Sequence, residues 1–247
     1  MNTTAAVRSV VPRSVRQSLR RIVGVEDLNA RIDELEERLA ESREETWERS
    51  RARWREASPT TDLTWDTELT GDAFIEKVVA TGAFGPETDV LEIGPGYGRL
   101  LRACLDVGAR FRSYVGVDLS EENVAHLNER FATDAVSFIN ADVETVGLDG
   151  DVDLVLSSLT LKHFYPSCER ALANVGSHVR PGGSIVFDVI EGDRRWWEHD
   201  NATYIRAYSR DELREMMARV GFSDVSFDEV THCPGRARLL VVARRSS

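Results

Sequence analysis

Lysine is almost missing from this chain: of 31 basic residues only Lys77 and Lys162 are not arginine. Acids outnumber bases, giving a formal net charge of −11, which excludes a general nucleic-acid binder that would need a basic face. Cysteine is scarce too. Cys104, Cys168 and Cys233 stand far apart and form neither a CxxC pair nor a zinc-ligand spacing. Three scattered thiols fit a reducing compartment, so a cytoplasmic protein is expected. No apolar run reaches the 18 residues that a membrane-spanning helix needs, and the N-terminus lacks the apolar core of a signal peptide. No pair of acids with a histidine announces a metal site, and no metal is expected. Internal repeats and low-complexity tracts are lacking as well.

What is there falls into three zones. Residues 1–25 contain no acid and five arginines, Arg8, Arg13, Arg16, Arg20 and Arg21, interleaved with apolar residues at roughly helical spacing. A basic amphipathic segment over 8–23 suits peripheral contact with an anionic membrane surface, here the inner face of the membrane. Residues 26–57 read as a highly charged helix. Val25, Leu28, Ile32, Leu35 and Leu39 recur in steps of three and four, an a/d seam that could pair two subunits through residues 25–40 in a short coiled coil. Ala57, Ser58 and Pro59 end it.

From 61 to 245 strands and helices alternate. Short apolar runs at 90–93, 114–117, 136–139, 154–157 and 185–189 predict the strands of a buried parallel sheet. Helical stretches at 99–107, 121–131 and 168–179 separate them, with Ser120 placed to cap the second. Ser209 caps a helix over 210–220, and two closing strands flank Pro234-Gly235 as a hairpin. The expected fold is α/β: a doubly wound, mostly parallel seven-stranded sheet with an N-terminal helical extension.

The chemistry concentrates in Val90-Leu91-Glu92-Ile93-Gly94-Pro95-Gly96-Tyr97-Gly98-Arg99. A strand runs into a glycine-rich turn and then a helix, so backbone N–H groups can meet a carboxylate or phosphate. The spacing is GxGxG rather than the GxGxxG of dinucleotide-binding enzymes. Glu92 stands two residues before the first glycine; an acid there repels a pyrophosphate but suits a ligand carrying an ammonium group.

This stretch resembles the first motif of the class I S-adenosylmethionine (SAM)-dependent methyltransferases, and the resemblance extends from about Thr61 to the end. It implies SAM as cofactor, with Gly94, Gly96 and Gly98 cradling the methionine part and Glu92 near its amino group. It implies further that Asp118, in Val115-Gly116-Val117-Asp118, grips both ribose hydroxyls, as a two-oxygen acceptor can. Asp142, after Asn140-Ala141, corresponds to the acid that receives the adenine amino group, and the backbone of Val143 faces the ring. Leu119, Val143 and Leu159 are candidates to wall the adenine. Asp153-Leu154-Val155-Leu156-Ser157 is similar to the fourth motif, which places Ser157 beside the cofactor, and Arg180-Pro181-Gly182-Gly183 is similar to the turn before the fifth strand.

Methyl transfer from a sulfonium needs alignment and exclusion of water, and an alcohol acceptor also needs a base. His163, following the fourth strand, is the candidate base or orienting residue. The segment 191–208 sets Arg194 and Arg195 beside Trp197 and Tyr204, a pattern able to bind a sugar face together with an anionic group. Trp65 is a candidate gate over the cofactor. The expected reaction is methylation of an oxygen on a small polar acceptor, foremost a sugar or uronate of a surface or lipid-linked glycan. Three rivals stand beside it: O-methylation of a secondary metabolite, a nicotinamide-dependent oxidoreductase, and a non-catalytic SAM-binding module.

Overall fold

The computed structural model describes residues 25–58, 70–200, 202–232, 235 and 237–246; Trp65, Cys233 and the basic segment 8–23 lie outside the described residues. The chain divides into two compact units, Met1–Glu48 and Arg49–Ser247. Helix α1, Val25–Arg55, begins in the first and ends in the second. In the first unit the seam residues Leu28, Ile32, Leu35 and Leu39 are all exposed. The face that would pair with another helix is bare in the single chain.

The second unit is built on one sheet. Its strands are β1 (Asp89–Ile93), β2 (Ser113–Asp118), β3 (Val136–Asn140), β4 (Val152–Ser157), β5 (Val179–Glu191), β6 (Arg195–Trp197), β7 (Tyr204–Tyr208), β8 (Phe222–Thr231) and β9 (Ala237–Arg245). The order runs β3-β2-β1-β4-β5, all parallel; β9 then joins β5 antiparallel and carries β8. Continuous burial of β1 reflects a strand covered on both faces, as parallel sheets require. Helices α2 (Asp72–Ala80), α3 (Arg99–Asp106), α4 (Glu121–Phe131), α5 (Glu169–Ser177) and α6 (Arg210–Arg219) do the covering. Two apolar cores result, one around Leu91, Val155, Phe187 and Met216, the other around Phe74, Leu100, Tyr114 and Leu154. Ser120 caps α4 by accepting from the Asn123 N–H at 3.0 Å, and Ser209 caps α6 through Glu212 N–H.

Three features differ from the expectation. Among the described residues the sheet has nine strands, not seven, because the Arg/aromatic segment folds into a ribbon: β6 pairs antiparallel with β7, and β7 extends the end of β5. Arg180-Pro181-Gly182-Gly183 is not a turn ahead of β5 but an irregularity inside it, where the register against β4 jumps from Val152↔Val179 to Leu154↔Ser184. A Cβ at Gly183 would come within 2.8 Å of the Asp153 carbonyl, so the two strands close only over glycine. Helix α2 was unforeseen: its cap is Gly71, without a side-chain bond to mark the start.

Candidate functional site

The C-terminal ends of β1, β2 and β4 meet under one cleft, which an open parallel sheet offers to a ligand. Its empty volume, mouth included, is about 1260 Å³. The wall comes from the turn after β1, the ends of β2 and β4, the loop after β3 and the last turn of α1.

Glycines shape the turn in two ways. Gly94 has φ +66° and faces Thr160, whose Cγ2 would lie 2.4 Å from an added Cβ; Thr160 Oγ1 donates to the Gly94 carbonyl. Gly96 has φ +57° and nothing within 4 Å of an added Cβ, so it opens its backbone to the cleft. Gly98 lies off the cleft, against Leu127 and Phe131, and serves the packing of α3 on α4.

Glu92 is buried at the end of β1, where Tyr114 donates its hydroxyl to Oε2 at 2.5 Å. Burial pushes its carboxyl up to about 7, against the opposing pull of Tyr114 and the Arg99 charge. A folded value above the unfolded one means stability that is complete below about 4.5 and drains away as pH rises through about 7. The whole effect corresponds to roughly 3 kcal/mol. Glu92→Gln should therefore become more stable relative to the parent as pH climbs from 5 to 8; parallel thermal midpoints across that range would contradict it.

Asp118 is the second buried acid on the wall. Its Oδ2 accepts from Gly96 N–H and its Oδ1 from Ser120 N–H, both at 2.9 Å. The Asn123 side chain adds a third bond, and the carboxylate keeps lone-pair capacity for a further donor. Burial raises its carboxyl despite the bonds from Ser120, Gly96 and the Asn123 side chain, so a further donor such as a ligand hydroxyl is the chemistry that this position favours. Two buried acids and an open glycine backbone suit a ligand with an ammonium group at one end and hydroxyls in its middle. Leu119 and Val143 line the cleft, as does Leu159, which adopts φ +63°.

Besides Gly98, two more of the expected cofactor residues do not face the cleft. Ser157 spends its hydroxyl on the Ile93 carbonyl at 3.1 Å, and the wall position falls to Ser158. Asp142 turns to α1: Arg51 Nε donates to its Oδ2 at 2.8 Å, and Glu144 N–H donates to its Oδ1. Arg51 also pairs with the buried Glu144. The helix end that supplies Arg51 continues into the wall with Trp54, Ala57 and Ser58. No sequence signal announced it, since Arg51 and its partners are 91 and 93 residues apart.

His163 stands on the wall in a short 3-10 turn, Leu161–His163. Its Nδ1 lies 2.9 Å from the Tyr204 carbonyl, and Trp54 packs on its ring at 4.3 Å between centroids. A carbonyl only accepts, so Nδ1 carries the proton and Nε2 keeps the lone pair in the neutral ring. Burial first, then the Lys162 charge, holds its pKa well below the ordinary value, so the ring is neutral near pH 7.

The Arg/aromatic residues do not join this wall. Arg194 and Arg195 are exposed on the ribbon. Trp197 lies under the Arg49 guanidinium at 3.8 Å, and Tyr204 is buried against Tyr165 and Trp197. Tyr204 serves the site through its backbone oxygen, not its ring.

A family model described as a methyltransferase domain matches residues 31–226, most of the chain. Among solved structures, the 1,6-didemethyltoxoflavin-N1-methyltransferase of Burkholderia thailandensis, with 1,6-didemethyltoxoflavin and S-adenosylhomocysteine bound, superposes with TM-score 0.59. It is 25% identical and covers 76% of this chain and 82% of that one. A hybrid PKS-NRPS synthetase of Emericella nidulans is 28% identical over 160 residues, 56% of this chain but 4% of the synthetase. The malonyl-acyl-carrier-protein O-methyltransferase of Priestia megaterium is 27% identical over 112 residues, 45% of this chain and 40% of that enzyme. The chain thus spans less than half the length of either of these two relatives.

Proposed function

The chain belongs to the class I SAM-dependent methyltransferase family, and from that premise we propose that it methylates an oxygen of a small acceptor held beside His163. When bound, SAM supplies an electrophilic methyl whose bond to sulfur breaks as the bond to the acceptor oxygen forms. Glu92, Gly94, Gly96 and Asp118 are the residues that would hold it, with Val143 and Leu119 along the adenine. The observation that carries the oxygen acceptor is the neutral His163 ring, its Nδ1–H committed to Tyr204 and its Nε2 able to take a hydroxyl proton. Trp54 and Phe164 give this end an aromatic wall. An alcohol or phenol with an apolar body matches it better than a sugar acid. The sugar reading rests on the Arg/aromatic segment, whose Arg194, Arg195, Trp197 and Tyr204 sit off the cleft, and on the basic N-terminus, which lies outside the described residues.

Oxygen methylation calls for a direct test. The pure protein is incubated with methyl-labelled SAM and panels of phenols, aliphatic alcohols, amines, and neutral and acidic saccharides, and the products are identified by mass spectrometry. Methyl ethers of the phenols or aliphatic alcohols are the expected products. Labelling confined to amines would overturn the oxygen acceptor; labelling confined to saccharides would restore the glycan reading.

The bare seam of Leu28, Ile32, Leu35 and Leu39 supports pairing of two copies through residues 25–40. Contact with a membrane through 8–23 rests on the sequence alone. No helix among the described residues is long and apolar enough to cross a membrane.

A further inference from the structure

Three cations line the cleft: Arg51, Arg99 and Lys162. Arg51 is committed to Asp142 and Glu144. Lys162 is almost fully buried. Arg99 differs from both. It makes no ion pair within 4 Å among the described residues, yet two hydrogen bonds hold its guanidinium in place. NH1 donates to the Thr70 carbonyl at 2.9 Å, and NH2 donates to Ser158 Oγ at 2.7 Å.

Ser158 is itself fixed. Its hydroxyl proton goes to Asp188 Oδ2 at 2.5 Å, which leaves the oxygen lone pairs for Arg99. Asp188, fully buried near the end of β5, also accepts from Leu159 N–H at 3.1 Å and from His232 Nε2 at 3.0 Å. A chain of polar groups thus runs from the β8–β9 connection to the cleft: His232, Asp188, Ser158, Arg99. Each link from Asp188 to Arg99 is bonded, and such a run holds its end group in one place, while His232 Nδ1 at the far end is buried without a partner among the described residues. What this network holds is a guanidinium with N–H groups to spare, on the same wall as Glu92 and close enough to feel its charge.

An acid and a base side by side on one wall match a zwitterion. We propose that Arg99 is the anchor for the carboxylate of the cofactor's amino-acid end, with Ser158 and Asp188 as positioning residues that aim it, while Glu92 faces the ammonium. This rests on the methyltransferase reading. A guanidinium suits the task because its planar fork can meet a carboxylate with two parallel N–H bonds.

The test compares two ligands of the full chain by calorimetry. S-adenosylhomocysteine carries the amino-acid end; methylthioadenosine keeps the adenine, ribose and sulfur but lacks it. Wild type should bind both, and failure to bind either would sink the methyltransferase reading itself rather than the role of Arg99. Arg99→Gln should weaken S-adenosylhomocysteine roughly tenfold to a hundredfold. Methylthioadenosine should stay within about twofold, because no amino-acid end is there to lose. Ser158→Ala should show the same selectivity with a smaller loss, and Arg99→Lys, which keeps the charge but not the fork, should recover part of the affinity. Equal weakening of both ligands by Arg99→Gln would make Arg99 merely structural. Unchanged binding of both, or a Ser158→Ala loss shared by both ligands, would equally overturn the proposal.

Discussion

Asp118→Ala should weaken S-adenosylhomocysteine by at least a hundredfold while leaving the fold intact. Each of the two oxygens of Asp118 holds one backbone N–H, the Asn123 side chain adds a third bond, and a bound diol would donate to the lone pairs that remain or displace that amide. Hydrogen bonds to a charged group contribute about 1.5–3 kcal/mol each, so losing two costs roughly 3 kcal/mol or more, about a hundredfold in Kd. The alanine variant also frees Gly96 N–H, which loosens the turn that the ligand must meet. Asp118→Asn separates the two effects. It keeps one oxygen acceptor and the shape of the side chain, so its loss should fall between wild type and alanine. Calorimetric titration with S-adenosylhomocysteine reads the affinity, and thermal midpoints show that both variants still fold. Undiminished affinity in Asp118→Ala would remove the ribose from this wall and with it the placement of the whole cofactor.

The meeting of Glu92, Gly94, Gly96 and Asp118 at one cleft was legible because these residues are local in sequence. A strand, a turn and a helix start bring Glu92, Gly94 and Gly96 to one place whatever else the chain does, and Asp118 ends the neighbouring strand in register, with Glu92 opposite Gly116. Alternation of apolar runs with helical stretches announced the parallel strands for the same reason. What failed was long-range. Asp142, which follows β3, is a ligand acid only by the resemblance, and Arg51, 91 residues earlier, takes one of its oxygens. Ser157 and Ser158 are adjacent, and only the pleat of β4 decides that the first faces the Ile93 carbonyl and the second the cleft. The cluster at 194–208 looked like a binding surface because aromatics and arginines share that composition with packing ribbons. Three-residue β6 and five-residue β7 are too short to show a period, and their rings fill the space beneath Arg49 and around Tyr165. The covering role of the α1 end had no local signature either: Trp54 and Arg51 sit in a run of charges that reads as a solvated helix.

His163→Gln should lower kcat by about a hundredfold to ten-thousandfold, the usual range for removing a general base, with S-adenosylhomocysteine affinity changed little. Glutamine can still donate an N–H toward the Tyr204 carbonyl, but it cannot take a proton from a hydroxyl. The pH dependence sharpens this. Burial and Lys162 hold the imidazole pKa well below its ordinary 6.5, so the base is already free at neutral pH. At saturating SAM, so that protonation of Glu92 at about 7 does not limit binding, wild-type turnover should stay level from pH 8 to pH 6.5 and fall only on further acidification, as the ring becomes protonated. A fall centred at or above 6.5 would mean an exposed histidine or another group. His163→Ala opens space beside Trp54, whose ring otherwise covers the imidazole at 4.3 Å. Added imidazole should then restore part of the rate in that variant and none in His163→Gln, where the side chain fills the gap. If His163→Gln keeps wild-type turnover, the acceptor is one that needs no base, such as a carboxylate or a neutral amine, and the neutral ring serves only to shape the wall.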